Sequence, residues 1–128
     1  LSGQPNREKT MNTREKGAAY EQIAAQYLQK HGITIVERNY RNRRGEIDLI
    51  GKDGDYTVFI EVKYRKDSEA GQPAEAVNYG KQRKICNVAD YYRMVHHMGD
   101  FTPVRYDVVA ICGAEITWYQ NAFEHIYS

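Results

Sequence analysis

The sequence predicts an α/β domain in which a mixed β-sheet is flanked by helices. Three observations carry this reading. Apolar residues recur at helical spacing in two separated stretches, 13–31 and 73–96. Segments rich in Val, Ile, Thr and Tyr fall between and after them, and turns containing glycine punctuate the segments. The predicted order is α-β-β-β-α-β-β-α.

The first helix spans 13–31, where Tyr20, Ile23, Ala24, Tyr27 and Leu28 recur at spacings of three and four on one face. Thr13 suits the N-cap and Gly32 the C-terminal stop. Residues 1–10 are almost wholly polar and precede Met11; they read as a disordered leader or an expression remnant, and 11–128 as a single domain. Strand segments follow at 33–40, 45–51 and 56–64, and the last two flank the turn Lys52-Asp53-Gly54-Asp55, which folds them into a hairpin. A polar stretch, 65–72, leads to Pro73, suited to the first turn of the second helix. That helix reaches about His96, with Val77, Ile85, Val88, Ala89, Tyr92 and Val95 on one face and Gly80 as a point of division. Val104–Cys112 is an apolar strand with one acid, Asp107. Gly113-Ala114 returns the chain into 116–119, and Asn121 could cap a last short helix.

With 128 residues and 41% of them hydrophobic, the chain can fill one core without covalent bridges. Cys86 and Cys112 lie 26 positions apart with no CxxC spacing, so they read as thiols in a reducing cytoplasm and not as a zinc or redox pair. No apolar run approaches the about 20 residues that a membrane helix needs. The 18 basic and 17 acidic residues sum to +1, which by itself argues against a polyanionic partner. Their distribution argues the other way. Arg38, Arg41, Arg43 and Arg44 form one acid-free cluster, Lys63, Arg65 and Lys66 a second, and Lys81, Arg83 and Lys84 a third.

All three clusters adjoin the segments Gly45-Glu46-Ile47-Asp48-Leu49-Ile50 and Phe59-Ile60-Glu61-Val62-Lys63. Alternate strand residues share a face. With a four-residue loop at 52–55, residue 48 lies opposite 59 and 46 opposite 61, so Glu46, Asp48, Glu61 and Lys63 face the same way. A one-residue slip would separate the two sets. Hard cations such as magnesium take oxygen ligands, usually one or two carboxylates with waters retained. A lysine beside such a centre can orient an attacking water, favour its deprotonated form, or stabilise charge growing on a phosphate. This is equipment for hydrolysing a phosphodiester. Glu46 opposite Glu61 would be an unfavourable pair unless a cation or lysine compensates, or unless Glu46 only sits at the start of its strand; Asp48, Glu61 and Lys63 form the core of the site. Alone, a Glu-x-Lys tripeptide is an ordinary solvated strand face. Lys81, in line with the apolar face of its helix, must snorkel or meet a buried anion. His31, His96, His97 and His125 lack ligand spacing and read as surface residues.

Asp48, twelve residues, then Glu61-Val62-Lys63 resembles the PD-(D/E)XK nuclease motif, with Ile47 where a proline often stands. Further segments, Arg44 to Ile50, Val58 to Arg65, Pro73-Ala74-Glu75-Ala76-Val77 with Lys81, and Arg105-Tyr106-Asp107-Val108-Val109, resemble the bacterial YraN-like family, in order, from about Met11 to the C-terminus. The resemblance implies a three-layer, restriction-endonuclease-like core and a nuclease dependent on Mg2+ or Mn2+. Asp48 and Glu61 would be metal ligands together with the Val62 backbone carbonyl, and Lys63 the catalytic lysine. Glu21 matches a glutamate that proteins similar to archaeal Holliday-junction resolvases add to the metal site; helical spacing leaves it at the edge of the apolar stripe, able to reach the sheet or solvent. Arg41, Arg43, Arg44, Arg65, Lys66, Lys81 and Lys84 are the expected contacts to nucleic acid, DNA before RNA, with branched DNA as one substrate class. A non-cleaving nucleic-acid-binding module and a protein-interaction domain are the competing readings. A homodimer is implied by analogy alone, and no membrane association is expected.

Overall fold

The computed structural model describes residues 13–65 and 77–127. The first periodic stretch forms helix α1 (Thr13–Lys30), in which Thr13 is helical and not the expected N-cap. Gly32 ends it at φ +96°, where the Gly32 and Ile33 N–H groups donate to the Gln29 and Leu28 carbonyls at 3.2 and 3.0 Å. This is a Schellman stop that turns the chain directly into the sheet. Strands β1 (Thr34–Asn42), β2 (Gly45–Asp53) and β3 (Tyr56–Arg65) follow, then helix α2 (Tyr79–Val95) and strands β4 (Val104–Cys112) and β5 (Glu115–Phe123). They form one mixed sheet in the order β1-β2-β3-β4-β5, antiparallel throughout except for the parallel pair β3/β4. A parallel neighbour requires a crossover, and α2 lies on it.

Alternation along β3 sends Phe59 to one side of the sheet, with Ile85, Val88, Ala89 and Tyr92 of α2, while Val58, Ile60 and Val62 pack on the other with Ala24, Ala25 and Leu28 of α1. The sheet is thus the middle of three layers. Both of its faces are buried against helices, so β3 and β4 are near-continuous apolar runs. Among the described residues, no helix is long and apolar enough to cross a membrane.

Four expectations are corrected. The second helix begins at Tyr79, because Asn78 takes an extended backbone and its side-chain oxygen accepts the Lys81 N–H at 2.9 Å. Gly80 therefore lies in the first turn and divides nothing, Val77 is buried ahead of the helix, and 73–76 fall outside the described residues. The hairpin turn is two residues, not four: Asp53 pairs with Tyr56 around Gly54, whose φ is +61°. Ile50 consequently faces Phe59, a two-residue displacement that keeps the paired residues 49–53 and 56–60 on their expected faces. Among the described residues no helix follows Asn121, which lies inside β5 at φ +54°. Its N–H is taken by the Asp107 carboxylate at 2.8 Å, in a bulge where the β4/β5 register shifts. Finally, His125 is not a free surface residue: its ring lies 2.7 Å from the Tyr106 hydroxyl and 3.3 Å from Asp90, fastening the C-terminal segment to α2. His31, His96 and His97 are exposed.

Asp107 is fully buried and saturated. Arg105 donates to both of its oxygens at 3.0 Å, and the Trp118 indole N–H adds a further bond at 2.8 Å. Arg105 also reaches Asp53 at 3.0 Å, tying the β2–β3 turn to β4.

Candidate functional site

Pairing between β2 and β3 runs from Asp53 and Tyr56 to Leu49 and Ile60. Beyond that point the Val62 N–H donates to the Asp48 carboxylate at 2.8 Å instead of to a β2 carbonyl. A short acidic side chain competing for backbone donors has inserted itself between two strands. The alternation of β2 breaks at the same place: Ile47 and Ile50 both pack on the α2 side, with Leu49 between them on the α1 side. Asn39, across from Asp48 in the β1 register, takes φ +52°, a conformation asparagine tolerates better than most residues.

A cavity of about 240 Å3 opens where the strands part, lined by Gly17, Tyr20, Glu21, Asp48, Glu61, Val62, Lys63, Tyr64 and Lys81. Asp48, Glu61 and Lys63 line this one cavity, brought together by the parting of β2 and β3 at Asp48 and not by unbroken strand alternation. Glu21 reaches the sheet from α1. Glu61 is 5% exposed, and its compensating partner is Lys81, whose Nζ lies 3.4 Å from Oε2. Lys81 sits in the first turn of α2, where the helix dipole disfavours a cation, so the buried anion is what favours a lysine there. Of its two options, Lys81 takes the anion.

The carboxylates outnumber the cations that face them. Burial and the charge of Asp48 push Glu61 up to about 7, against the pull of Lys81 and Lys63. Burial, then the charge of Asp48 and a hydrogen bond to it, then Glu46, push Glu21 up to about 7. Asp48 is also raised, by burial foremost, although the Val62 N–H favours its ionised form. Ligand oxygens of Glu21, Glu46 and Asp48 all lie within 4.8 Å of one another. An all-oxygen set of this kind suits a hard divalent cation, which would relieve the mutual repulsion. Asp48 belongs both to this trio and to the cavity that holds Glu61.

Glu46, set aside on the sequence as the start of a strand, thus joins the carboxylate group; Arg41 holds it at 3.5 Å. The like-charge opposition noted from strand pairing was the available signal. Asn39, Arg14 and Tyr20 carried none, because only the approach of α1 to the β1/β2 end of the sheet brings them in. Arg14, Asn39, Arg41 and Glu46 line a neighbouring cavity of about 510 Å3 that shares Gly17 and Glu21 with the first. Arg43 and Arg44 line a different one, with Asn87, Asp90 and Tyr91 of α2. Lys84 is exposed on α2, Arg65 is half-buried at the end of β3, and Lys66 lies outside the described residues.

A pH dependence follows. Glu21 and Glu61 bind their protons more tightly folded than at the ordinary 4.5, so their contribution to stability is complete below that value and is lost as pH rises through about 7. The melting temperature of metal-free protein is expected to fall between about pH 5 and 8, and Glu61→Gln to flatten that fall. A melting curve that is level or rising over this window in the unsubstituted chain would contradict the carboxylate assignment.

Fold and site together define an α/β protein whose five-stranded mixed sheet, with a helix on each face, is compatible with a restriction-endonuclease-like core, carrying its carboxylates where two central strands part. Residues 20–111 match the model of the uncharacterised protein family UPF0102. The chain belongs to this family. It is 46% identical over 114 residues to a UPF0102 protein of Lachnoclostridium phytofermentans, covering 89% of this chain and 97% of the relative. UPF0102 proteins of Aliivibrio fischeri strain MJ11 and Legionella pneumophila strain Corby are 44% and 41% identical, over 90% and 88% of this chain and 96% and 97% of their own.

Proposed function

We propose that the chain is a divalent-cation-dependent nuclease that hydrolyses phosphodiester bonds in nucleic acid, DNA before RNA. The observation that carries this reading is the convergence of Glu21, Asp48 and Glu61, from three separate elements, on one cavity with Lys63 and Lys81. Asp48 and Glu61 would hold magnesium or manganese, with Glu21 and the Val62 carbonyl completing the protein's share of the ligands. Once bound, the cation supplies Lewis acidity toward a phosphate oxygen and lowers the pKa of water. Lys63 orients the attacking water and stabilises charge growing on the phosphate. Lys81 compensates Glu61 and lines the same cavity, where it would offer positive charge to a phosphate. Arg41, at the lip of the adjoining cavity, holds the flanking backbone.

One observation favours the non-cleaving binding module: Lys81 already supplies Glu61 with the positive charge that a cation would. Calorimetric titration of manganese into the full chain, beside cleavage assays on single-stranded, duplex and branched DNA, separates the two. Binding and cleavage are expected, both lost in Asp48→Ala. Nucleic-acid binding with neither metal uptake nor cleavage would establish the module instead.

A further inference from the structure

Two aromatic rings stand at the cavity. Tyr20 of α1 and Tyr64 of β3 stack with centroids 4.1 Å apart and planes 10° from parallel, and both line the cavity that holds Asp48, Glu61 and Lys63. Each is the chain neighbour of a residue of the charged centre: Tyr20 precedes Glu21 and Tyr64 follows Lys63. Stacking on Tyr20 fixes the orientation of Tyr64, yet Tyr64 remains 37% exposed. Tyr20 packs against the apolar cluster of Ala24, Ala25, Leu28 and Val62, and Tyr64 lies over Tyr20 with part of its ring open to solvent.

Resting on the nuclease reading above, we infer that the site takes an unpaired nucleotide, whose base stacks on the Tyr64 ring backed by Tyr20. Lys63 and Tyr64 both line the cavity, so a nucleotide with its phosphate at Lys63 can bring its base to the ring. Within a continuous duplex both faces of a base are occupied by its neighbours, so the ring can be used only where a base is unpaired or flipped out. The trough continues past Gly17, where a β-carbon would have no atom within 4 Å, into the neighbouring cavity beside Arg14 and Arg41. Stacking surface and flanking cations together are the equipment of single-strand binding. The favoured substrate is a single strand, or a duplex with a frayed end, flap or branch that offers one.

The test is binding of the full chain, with calcium replacing the catalytic cation, to a single strand, a flapped duplex and a blunt duplex of shared sequence, in DNA and RNA forms. The unsubstituted chain is expected to bind the single strand and flap more tightly than the blunt duplex. Tyr64→Leu keeps an apolar contact for Tyr20 but removes the π face; it should weaken binding to both unpaired substrates roughly 5- to 150-fold and leave the duplex within about two-fold. Tyr64→Phe should bind as the unsubstituted chain does. A fluorescent adenine analogue in the strand should be quenched by the unsubstituted chain and the Phe variant, and not by the Leu variant. If Tyr64→Leu weakens all substrates alike, or none, the stacking inference is overturned while metal-dependent cleavage keeps the nuclease reading. If no form of nucleic acid binds, both fall.

Discussion

Lys63→Ala is expected to lower the turnover of DNA cleavage roughly 10²–10³-fold, the usual cost of removing one preorganised donor from a developing oxyanion, while metal affinity measured by calorimetry changes little. Lys63 is half-buried in the same cavity as Asp48 and Glu61, and its charge lowers the pKa of Glu61 less than that of Lys81 does. Its electrostatic grip on the carboxylates is therefore the weaker of the two lysines, which leaves its ammonium for the substrate. Lys63→Arg should not restore the rate, since a planar guanidinium cannot occupy the position of a compact ammonium. Lys81→Ala should behave differently. Without its partner, Glu61 is a buried carboxylate that needs a proton or a cation, so the variant should bind manganese more tightly and melt lower in its absence. Cleavage by Lys63→Ala within a few-fold of the unsubstituted rate would remove this lysine from the chemistry.

Asp107→Ala should destabilise the fold by about 3–5 kcal/mol, the cost of removing one partner from a buried ion pair. The carboxylate is fully buried and accepts four bonds, two from Arg105, one from the Trp118 indole and one from the Asn121 backbone. Its removal strands Arg105, leaves a backbone N–H of the β5 bulge unsatisfied, and loosens the link through Arg105 to Asp53 in the β2–β3 turn. Asp107→Asn keeps an acceptor but not the charge and should cost less. Urea denaturation with an unchanged m-value checks both, and a loss below about 1 kcal/mol for the alanine variant would contradict the account. Because Asp107 does not line the carboxylate cavity, cleavage at temperatures where the variant stays folded should be nearly unaffected.

These two residues show where sequence reasoning reaches and where it stops. The spacing of Asp48, Glu61 and Lys63 on neighbouring strands was legible, but the way they meet was not: the shorter turn shifts the register by two residues, and alternation in β2 breaks at Asp48, whose carboxylate turns between the strands to the Val62 N–H. Tyr20, Arg14 and Asn39 were not legible, because they enter the site through the docking of a helix on a sheet, and no local spacing encodes that. The misplaced boundaries share one cause. Asn78 and Asp107 each capture a backbone N–H with a side-chain oxygen, starting a helix at Tyr79 and holding Asn121 inside a strand. Such captures depend on a three-dimensional partner and leave only a weak trace in the order of residues.

The parting of β2 and β3 at Asp48 has a mechanical side. The hairpin is closed at Gly54 and open at the other end, like tweezers, with Asp48 bound across the gap to the Val62 backbone as a spacer of fixed length. One oxygen of that side chain is committed to keeping the tips at their separation. A glutamate at this position would preserve the charge and change the gauge, spreading the tips or releasing Val62. Aspartate and glutamate are therefore not equivalent here: the shorter side chain sets the width of the cleft.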